Sequence, residues 1–233
     1  LLTGTTDMYR DVFDPDHKDD TVESVFDVTL PSKQKYSKLH GYDIMCLRSF
    51  GVDNSIPSDD RFNNPTRDLG FIRVIRCLQM LNHYDIVFWI DADSLITKPS
   101  LSVDQILGGS DRVLTASHDW STKSYVSAGN FILQRTENLQ KFIDVFCSLG
   151  PHYPEEQSTF NAIFNNPELS SLINLLDHKF LNSVPTREMY GVSWDGRRDI
   201  ISSWTNDSFL LHLTGVENRT RHDILKKYFG EFL

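Results

Sequence analysis

The chain has 233 residues, of which 39% are apolar and 12% aromatic, and this is enough for the core of one large α/β domain or two small ones. Its formal net charge of −9 argues against a nucleic-acid-binding protein that relies on a broad basic surface. No stretch approaches the length of a membrane-spanning helix, so we expect membrane anchoring only through a segment absent from this chain.

In the first half, strands and helices are predicted to alternate. Pro31 and Gly41 bracket one helix, because proline is common just before a helix and glycine just after it. The predicted elements, in chain order, are a strand over residues 1–6, a helix over 32–40, a strand over 42–47 and an amphipathic helix over 66–81. Two polar, turn-rich segments are predicted to be loops, residues 7–20 and 53–65.

The next predicted strand ends in two carboxylates. Residues 86–90 form a short apolar run, which is typical of a strand buried on both faces. Side chains two apart point the same way along a strand, so Asp91 and Asp93 are predicted to project together. At the carboxyl end of a parallel strand, such a pair could bind a hard divalent cation. A solvated strand end without a metal is the alternative, and the two interpretations carry about equal weight at this point.

The second half continues the alternation with less regular spacing. Its predicted elements are a helix over residues 103–107, strands over 112–117 and 128–133, a helix over 137–149, a helix from about 155, a strand over 209–213 and a helix over 221–229. Strands that alternate with helices indicate an α/β fold with a mainly parallel sheet flanked by helices.

Two further segments carry residues suited to the same chemistry. His212 ends the late strand and precedes Gly215, so it could give a nitrogen ligand to the same ion. A core histidine is the commoner alternative for a lone His. Oxygen ligands favour magnesium or manganese, and an added nitrogen ligand favours Mn²⁺, with Mg²⁺ as the alternative. Glu156 and Gln157 open a helix, where they could bind sugar hydroxyls or simply suit the helix dipole.

A short run of small residues opens the strand predicted over residues 128–133. The run is Ser127, Ala128, Gly129 and Asn130. Small side chains permit a ligand to approach the backbone closely, although tight packing explains them equally well. The sequence contains no phosphate-binding P-loop, no dinucleotide-binding glycine motif and no serine-nucleophile motif.

These segments occur in the order of a known family. The chain resembles GT-A nucleotide-sugar glycosyltransferases, most closely the fungal and plant α-galactosyl-, α-mannosyl- and α-xylosyltransferases with an Asp-x-Asp motif. Residues 35–42 resemble that family's Tyr-Ala-x-x-His-Gly-Tyr segment, and residues 89–96 its Trp-x-Asp-x-Asp-x-x-Ile motif. Residues 212–215 resemble its His-x-x-Gly turn. The resemblance runs in order from about residue 1 to residue 215.

The resemblance implies roles for individual residues. Asp91, Asp93 and His212 would ligate Mn²⁺, and Glu156 and Gln157 would face the reacting sugar. The implied donor-binding residues are Thr3, Gly4, Tyr36, Arg73, Ala92, Ser127, Ala128, Gly129, Asn130 and Gly215. Arg73 would lie near the donor phosphates.

The resemblance also implies a reaction. A sugar would pass from a nucleoside diphosphate sugar, with a UDP-sugar favoured over GDP-mannose, to a hydroxyl of a saccharide or glycan acceptor, with retention of anomeric configuration. One departure concerns the cation that binds the diphosphate. The family often has Lys soon after the His-x-x-Gly turn, whereas this chain has Glu217. Arg219 or Arg221 could take its place.

Residues 1–233 are expected to form one GT-A catalytic domain, with a nucleotide-binding half over 1–98 and a donor-sugar and acceptor half over 99–233. Two other functions use the same residues. A metal-dependent nucleotide-sugar hydrolase or phosphoesterase would use the carboxylates on water, and a carbohydrate-binding relic would have lost catalysis. The resemblance leaves the compartment open between the Golgi lumen and the cytoplasm.

Overall fold

The architecture is that of a computed structural model, which describes residues 2–4, 25–47, 69–119, 125–190, 202–216 and 218–232. The predicted loops over 7–20 and 53–65, and residue Glu217, lie outside the described residues. Among the helices described, none combines the length and the hydropathy needed to cross a bilayer.

A mixed six-stranded sheet forms the centre, and its strand order is β2-β1-β3-β6-β5-β7. Only β6 runs against the other five strands, so the sheet is mainly parallel as predicted. The strands of this sheet are β1 (Leu2–Gly4), β2 (Met45–Leu47), β3 (Ile86–Asp91), β5 (Leu114–His118), β6 (Val126–Gln134) and β7 (Ile173–Leu176). Strands β1 to β3 come from the first half of the chain and β5 to β7 from the second.

A second, two-stranded sheet joins distant parts of the chain. It pairs β4 (Ser94–Ile96) antiparallel with β8 (Leu210–His212). The sequence pattern predicted the late strand over 209–213, which contains β8, but gave no indication of β4. Strand β4 follows β3 after only two residues, so it does not stand out as a separate apolar run. Strand β7 was also not predicted, since its residues follow directly on a turn of 3₁₀ helix over Ser170–Leu172.

Helices flank the sheet. In chain order they are α1 (Val25–His40), α2 (Leu69–Met80), α3 (Val103–Leu107), α4 (Leu139–Leu149), α5 (Glu156–Asn165), α6 (His178–Leu181), α7 (Arg187–Tyr190) and α8 (Asn218–Phe229). Helix α3 begins with a capping box, in which the Ser102 hydroxyl accepts from the backbone of Gln105, and it ends at Gly108 with a positive φ of 59°.

The predicted start of the first helix was wrong. Helix α1 begins at Val25, and Pro31 lies inside it. Proline in a helix interior removes one backbone hydrogen bond, so the first turns need other support. Val25 and Val28 supply it, because they pack in a buried cluster with Leu95 and Leu211 of the second sheet. Tertiary packing thus overrides the proline signal here.

The core lies on both faces of the central sheet. Helices α2, α4 and α5 cover one face, where Trp89 and Phe131 of the sheet pack against Phe142 and Phe160. The opposite face packs Phe88 and Ile132 against residues that include Tyr36. Because both faces are covered, β3 is apolar along its whole length until it reaches Asp91, at the carboxyl edge of the sheet.

Candidate active site

The Asp-x-Asp turn lies at the carboxyl edge of the parallel part of the sheet. Asp91 is the last residue of β3, and Asp93 directly precedes β4. Gly4 of β1 is the register partner of Asp91, so the end of β1 adjoins the turn. Ligands of open α/β sheets bind at this edge, which agrees with a site beside the two carboxylates.

Strand pairing brings His212 to the same place. In the β4–β8 pair, Ser94 is the register partner of His212. The backbone N–H of Leu213 also donates to the carbonyl of Asp93, at 3.0 Å. As a result, Nε2 of His212 lies 3.4 Å from Oδ1 of Asp93 and 3.7 Å from Oδ2 of Asp91. The two carboxylates and the imidazole therefore converge, as the sequence predicted.

The three side chains form a donor set that fits a divalent cation. One ligand atom from each lies within 4.8 Å of the others. Neighbouring ligands of a six-coordinate ion are about 3 Å apart when each bond is about 2.1 Å long. The separations of 3.4 and 3.7 Å thus need only a small contraction. Two oxygens and one nitrogen are suited to manganese more than to magnesium.

Arg73 ties the turn to the start of helix α5. Its Nη1 donates to Oδ1 of Asp91 at 2.7 Å, and its Nη2 pairs with Oε1 of Glu156. The indole N–H of Trp89 donates to the same Asp91 oxygen at 2.7 Å. One oxygen of Asp91 is thereby occupied by protein donors, while Oδ2 faces His212.

Asp93 forms an ion pair with Arg221. Nη2 of Arg221, on helix α8, lies 3.2 Å from Oδ2 of Asp93, while Oδ1 faces His212. Arg221 thus brings positive charge to this side of the turn. The side chain of Arg219 lies outside the described residues.

The two carboxyls differ in their pKa. Burial raises the pKa of Asp91, and the opposing charges of Arg73 and His212 do not cancel this. Burial acts on Asp93 in the same direction, but Arg221 and His212 outweigh it and hold the pKa of Asp93 below its usual range. Asp93 is therefore the carboxylate most firmly held in its charged form.

A buried lysine donates hydrogen bonds to the backbone of the Asp-x-Asp turn. The Nζ of Lys33, on helix α1, donates to the carbonyls of Asp91 at 2.9 Å and Ala92 at 3.1 Å, and to Oγ1 of Thr29 at 3.1 Å. All three ammonium protons thus have acceptors. Burial lowers the pKa of Lys33 to about 7, against the opposing effect of Asp93 and Asp91.

Glu156 and Gln157 lie at the start of α5, as predicted, and both contact neighbouring elements. Glu156 is buried and pairs with Arg73. Oε1 of Gln157 accepts from the backbone N–H of Ala128 at 3.1 Å, and its Nε2 lies 3.5 Å from Oδ2 of Asp119. Glu156 is therefore in one charged network with Asp91, whereas Gln157 bridges β6 and the end of β5.

Among the small residues of β6, Gly129 lies against His212. A Cβ atom at Gly129 would be 2.3 Å from Cε1 of His212, so only glycine leaves room for the imidazole. Ser127 and Ala128, which precede Gly129 on the strand, are buried. Asn130 is fully buried, and its Oδ1 accepts from the backbone N–H of Asp91 at 3.1 Å. Gly129 and Asn130 thus border Asp91, Asp93 and His212 from the β6 side, and we call these three residues the metal-ligand cluster.

The structure does not bring every predicted residue to the cluster. Tyr36 is fully buried among apolar side chains, and its hydroxyl donates to the carbonyl of Leu101 at 2.9 Å. Burial raises its pKa. Tyr36 is therefore a core residue in this structure, and not a wall of the site. Thr3 and Gly4 are placed by their backbone only, and Gly215 lies in the exposed turn after β8 with a φ of 70°.

Four residues of the site were not found from the sequence. Lys33 and Gly70 lie in helices whose pattern shows only amphipathic spacing, and Asn182 lies between short elements. Asp119 follows β5 as one acidic residue among many. The sequence feature that could have indicated Gly70 is its position one helical turn before Arg73, on the same side of the helix. A Cβ atom at Gly70 would fall on the Glu156 carboxylate.

Comparison of the sequence with known proteins gives one partial match to a glycosyltransferase. No family model matches the chain. A galactomannan galactosyltransferase from Cyamopsis tetragonoloba is 24% identical over 134 residues, which cover 53% of this chain and 28% of that protein. The match thus spans little more than a quarter of that relative's length.

Solved structures match over nearly the whole chain. A glycosyltransferase involved in glycosylation of the major capsid of PBCV-1 matches with a TM-score of 0.62 at 14% identity, covering 97% of both chains. The bifunctional glycosyltransferase WbbM matches with a TM-score of 0.57 at 10% identity, over 99% of this chain and 50% of its own. The galactosyltransferase LgtC, solved with donor and acceptor sugar analogues, matches with a TM-score of 0.50 at 14% identity, over 100% of this chain and 99% of its own. The chain therefore has the GT-A fold of the glycosyltransferases.

Proposed function

We propose that the protein is a metal-dependent glycosyltransferase that moves a sugar from a nucleoside diphosphate sugar to a saccharide hydroxyl. The observation that carries the proposal is the convergence of Asp91, Asp93 and His212 at the carboxyl edge of a GT-A sheet. The galactosyltransferase names of one sequence relative and one structural neighbour support a hexosyl donor, and a UDP-sugar is the donor we favour over GDP-mannose.

The metal-ligand cluster would hold Mn²⁺, with Mg²⁺ as the alternative. The bound ion would supply positive charge against the departing nucleoside diphosphate. In our proposal Arg221 adds a second, protein-borne charge there, because it already lies 3.2 Å from Asp93. It would take the place of the lysine that the family has after the His-x-x-Gly turn.

Arg73, Glu156 and Gln157 would bind and orient the donor sugar. Arg73 holds Glu156 in place through a buried ion pair, so the carboxylate is fixed before substrate arrives. Glu156 would accept hydrogen bonds from sugar hydroxyls and oppose positive charge at the anomeric carbon. Gln157, held by Ala128, would lie beside the acceptor side of the sugar.

The reaction we propose retains the anomeric configuration. The acceptor oxygen forms a bond to the anomeric carbon as the bond from that carbon to the diphosphate oxygen breaks. The diphosphate leaves with the bonding electron pair, and its phosphate oxygen takes the acceptor proton. Retention is what the family resemblance implies.

The test is a donor screen with Mn²⁺ and saccharide acceptors, with the anomeric proton of the product read by NMR. We expect transfer from one donor that stops on addition of a chelator. Asp93→Ala should reduce it at least about a hundredfold, because one of three ligands is lost. Asp207→Ala is a matched control, since Asp207 is exposed and pairs with Lys98 away from the cluster.

Three outcomes would contradict the proposal. Undiminished transfer by the Asp93 variant would remove the metal role. Donor consumption that does not respond to any acceptor would indicate a hydrolase. Calorimetry that shows glycan binding without affinity for UDP and Mn²⁺ would indicate a binding relic.

A further inference from the structure

Asn182 lies between two histidines at the back of the metal-ligand cluster. It is 1% exposed and follows helix α6 directly. Its Nδ2 donates to the backbone carbonyl of His118 at 2.9 Å, and its Oδ1 lies 2.8 Å from Nδ1 of His212. Both ends of the carboxamide therefore have a partner in the protein.

The carbonyl of His118 fixes the orientation of this amide. A carbonyl oxygen only accepts hydrogen bonds, so the amide nitrogen must face it. The amide oxygen then faces His212 and can only accept. Nδ1 of His212 must therefore carry the proton, which is the condition for a hydrogen bond at this position.

The tautomer of His212 decides whether it can bind a metal. With the proton on Nδ1, a neutral imidazole has its free lone pair on Nε2. Nε2 is the atom that faces Asp93 and Asp91, at 3.4 and 3.7 Å. In the other tautomer an N–H would point to the place where the cation binds. The carboxamide of Asn182 thus acts on the cluster through His212.

The segment that carries Asn182 is itself fastened to the cluster on both sides. The backbone N–H of His212 donates to the carbonyl of Ser183 at 2.7 Å. On the other side, Nδ2 of Asn130 donates to the carbonyl of Leu181 at 3.1 Å, while Oδ1 of Asn130 accepts from the N–H of Asp91. Residues 181–183 are therefore tied to a metal ligand at each end, through Asp91 and through His212.

We propose that Asn182 is a positioning residue that holds His212 in the Nδ1–H tautomer and so directs its Nε2 lone pair at the divalent cation. The inference rests on the proposed function only in taking the cluster to be a metal site. Its tautomer component concerns the metal-free protein, and it can be measured whether or not sugar transfer is found.

The first test determines the tautomer of His212 in the wild-type protein. The metal-free protein, labelled with ¹⁵N histidine, is studied by long-range ¹H–¹⁵N NMR, which reads the protonation of each ring nitrogen separately. His212→Gln identifies the signals by their loss. We expect a protonated Nδ1 and an unprotonated Nε2. A protonated Nε2 would overturn the inference.

The second test compares variants of two amide side chains, the buried Asn182 and the half-buried Asn174. Asn182→Leu removes the hydrogen-bond acceptor of His212. Asn174→Leu is the control, because Asn174 lies on the edge strand β7 and donates to Oγ1 of Thr115 at 3.4 Å, outside the cluster. Calorimetry with Mn²⁺ alone should show binding weakened about 10- to 100-fold for Asn182→Leu and unchanged for the control. Unchanged binding by Asn182→Leu would contradict the role of the amide.

Asn182→Asp covers the case in which the leucine variant does not fold. It keeps an acceptor for Nδ1 and loses the donor to His118, so we expect the Nδ1–H tautomer and manganese binding to persist. Loss of that tautomer in a folded Asp variant would contradict the inference. A wild-type protein that shows the predicted tautomer but binds no Mn²⁺ would instead contradict the metal site of the proposed function.

Discussion

At the scale of single residues, two glycines are required because they lack a Cβ atom. Gly129 leaves the space that the imidazole of His212 occupies, and Gly70 leaves the space of the Glu156 carboxylate. Neither glycine has a positive φ, so their role is close approach and not an unusual backbone conformation. The small-residue run on β6 was predicted to serve either close approach of a ligand or tight packing, and in the structure its glycine leaves room for the imidazole of His212.

Replacement of Gly129 by alanine should therefore displace His212. The added Cβ would lie 2.3 Å from Cε1 of the ring, which forces the imidazole away from the two carboxylates. We expect binding of Mn²⁺ to weaken about 10- to 100-fold, measured by calorimetry. Gly230→Ala is the matched control, because a Cβ there meets nothing within 4 Å. Equal affinities of both variants and the wild type would show that His212 does not bind the ion.

The lowered pKa of Lys33 predicts how the free energy of unfolding depends on pH. Its pKa is lowered from 10.5 to about 7 because the folded protein buries it completely. Between these values the unfolded chain binds a proton that the folded protein has released, so the free energy of unfolding rises with pH through this window. The rise is at most about 1.4 kcal/mol per pH unit.

The measurement is urea unfolding in the presence of a chelator, at about pH 7 and about pH 9, for the wild type and Lys33→Met. We expect the wild type to gain stability relative to Lys33→Met as the pH rises, by up to about 3 kcal/mol. Lys35→Met, exposed on the same helix, controls for loss of a surface lysine. A difference that stays constant with pH would show that Lys33 stays charged in the folded protein.

At the scale of elements, the sequence predicted what has a long or strong pattern. Strand β3 with its two carboxylates, helix α2 and helix α4 are where the apolar spacing placed them. Strands β4 and β7 were not predicted, because β4 follows β3 after two residues and β7 follows a turn of 3₁₀ helix directly, so neither begins as a separate apolar run. From the residues alone, the convergence of His212 with Asp91 was one of two alternatives, and the family resemblance favoured it. The β4–β8 register that produces it is a long-range pairing, which a sequence pattern does not show.

Helix α1 shows how packing overrides a local signal. Pro31 predicts a helix start, yet the helix begins two turns earlier, where Val25 and Val28 are buried against the second sheet. The prediction failed because propensity is weaker than burial of several apolar side chains. The proline then remains as a local defect in an otherwise well-packed helix.

Pro31→Ala should accordingly stabilise the protein. Alanine restores a backbone donor and removes the clash of the ring with the preceding turn, and the exposed position adds no packing change. After allowance for the more flexible unfolded chain, we expect a gain of about 1 to 2 kcal/mol in the free energy of unfolding by urea. Gln34→Ala, exposed on the same helix, should change it by less than about 0.5 kcal/mol. A loss of stability in Pro31→Ala would mean that the proline fits this helix without strain.

At the scale of the whole molecule, the site is built from both halves of the chain. The predicted boundary near residue 98 stays a prediction. In the first half, Asp91 ends β3 and Asp93 lies in the turn after it, whereas in the second half His212 ends β8. Helix α1 supports the turn from one side through Lys33, and α8 supplies Arg221 from another. The cluster therefore depends on the assembled fold, and no single segment of the sequence contains it.

The charges of the cluster are nearly balanced before any ion binds. Three acids, Asp91, Asp93 and Glu156, lie among two arginines, Arg73 and Arg221, and Lys33, which is charged only below its lowered pKa of about 7. A divalent cation therefore adds a net positive charge to the cluster. The diphosphate of a sugar nucleotide would offset that charge, which fits a site that binds the metal and the donor together.

The most direct measurement of the central claim is the position of the metal. Crystals grown with Mn²⁺ and UDP are measured for anomalous scattering by manganese. The structure predicts one peak within bonding distance of Oδ2 of Asp91, Oδ1 of Asp93 and Nε2 of His212. A manganese peak bound to the nucleotide with His212 turned away, or no peak at the Asp-x-Asp turn, would contradict it.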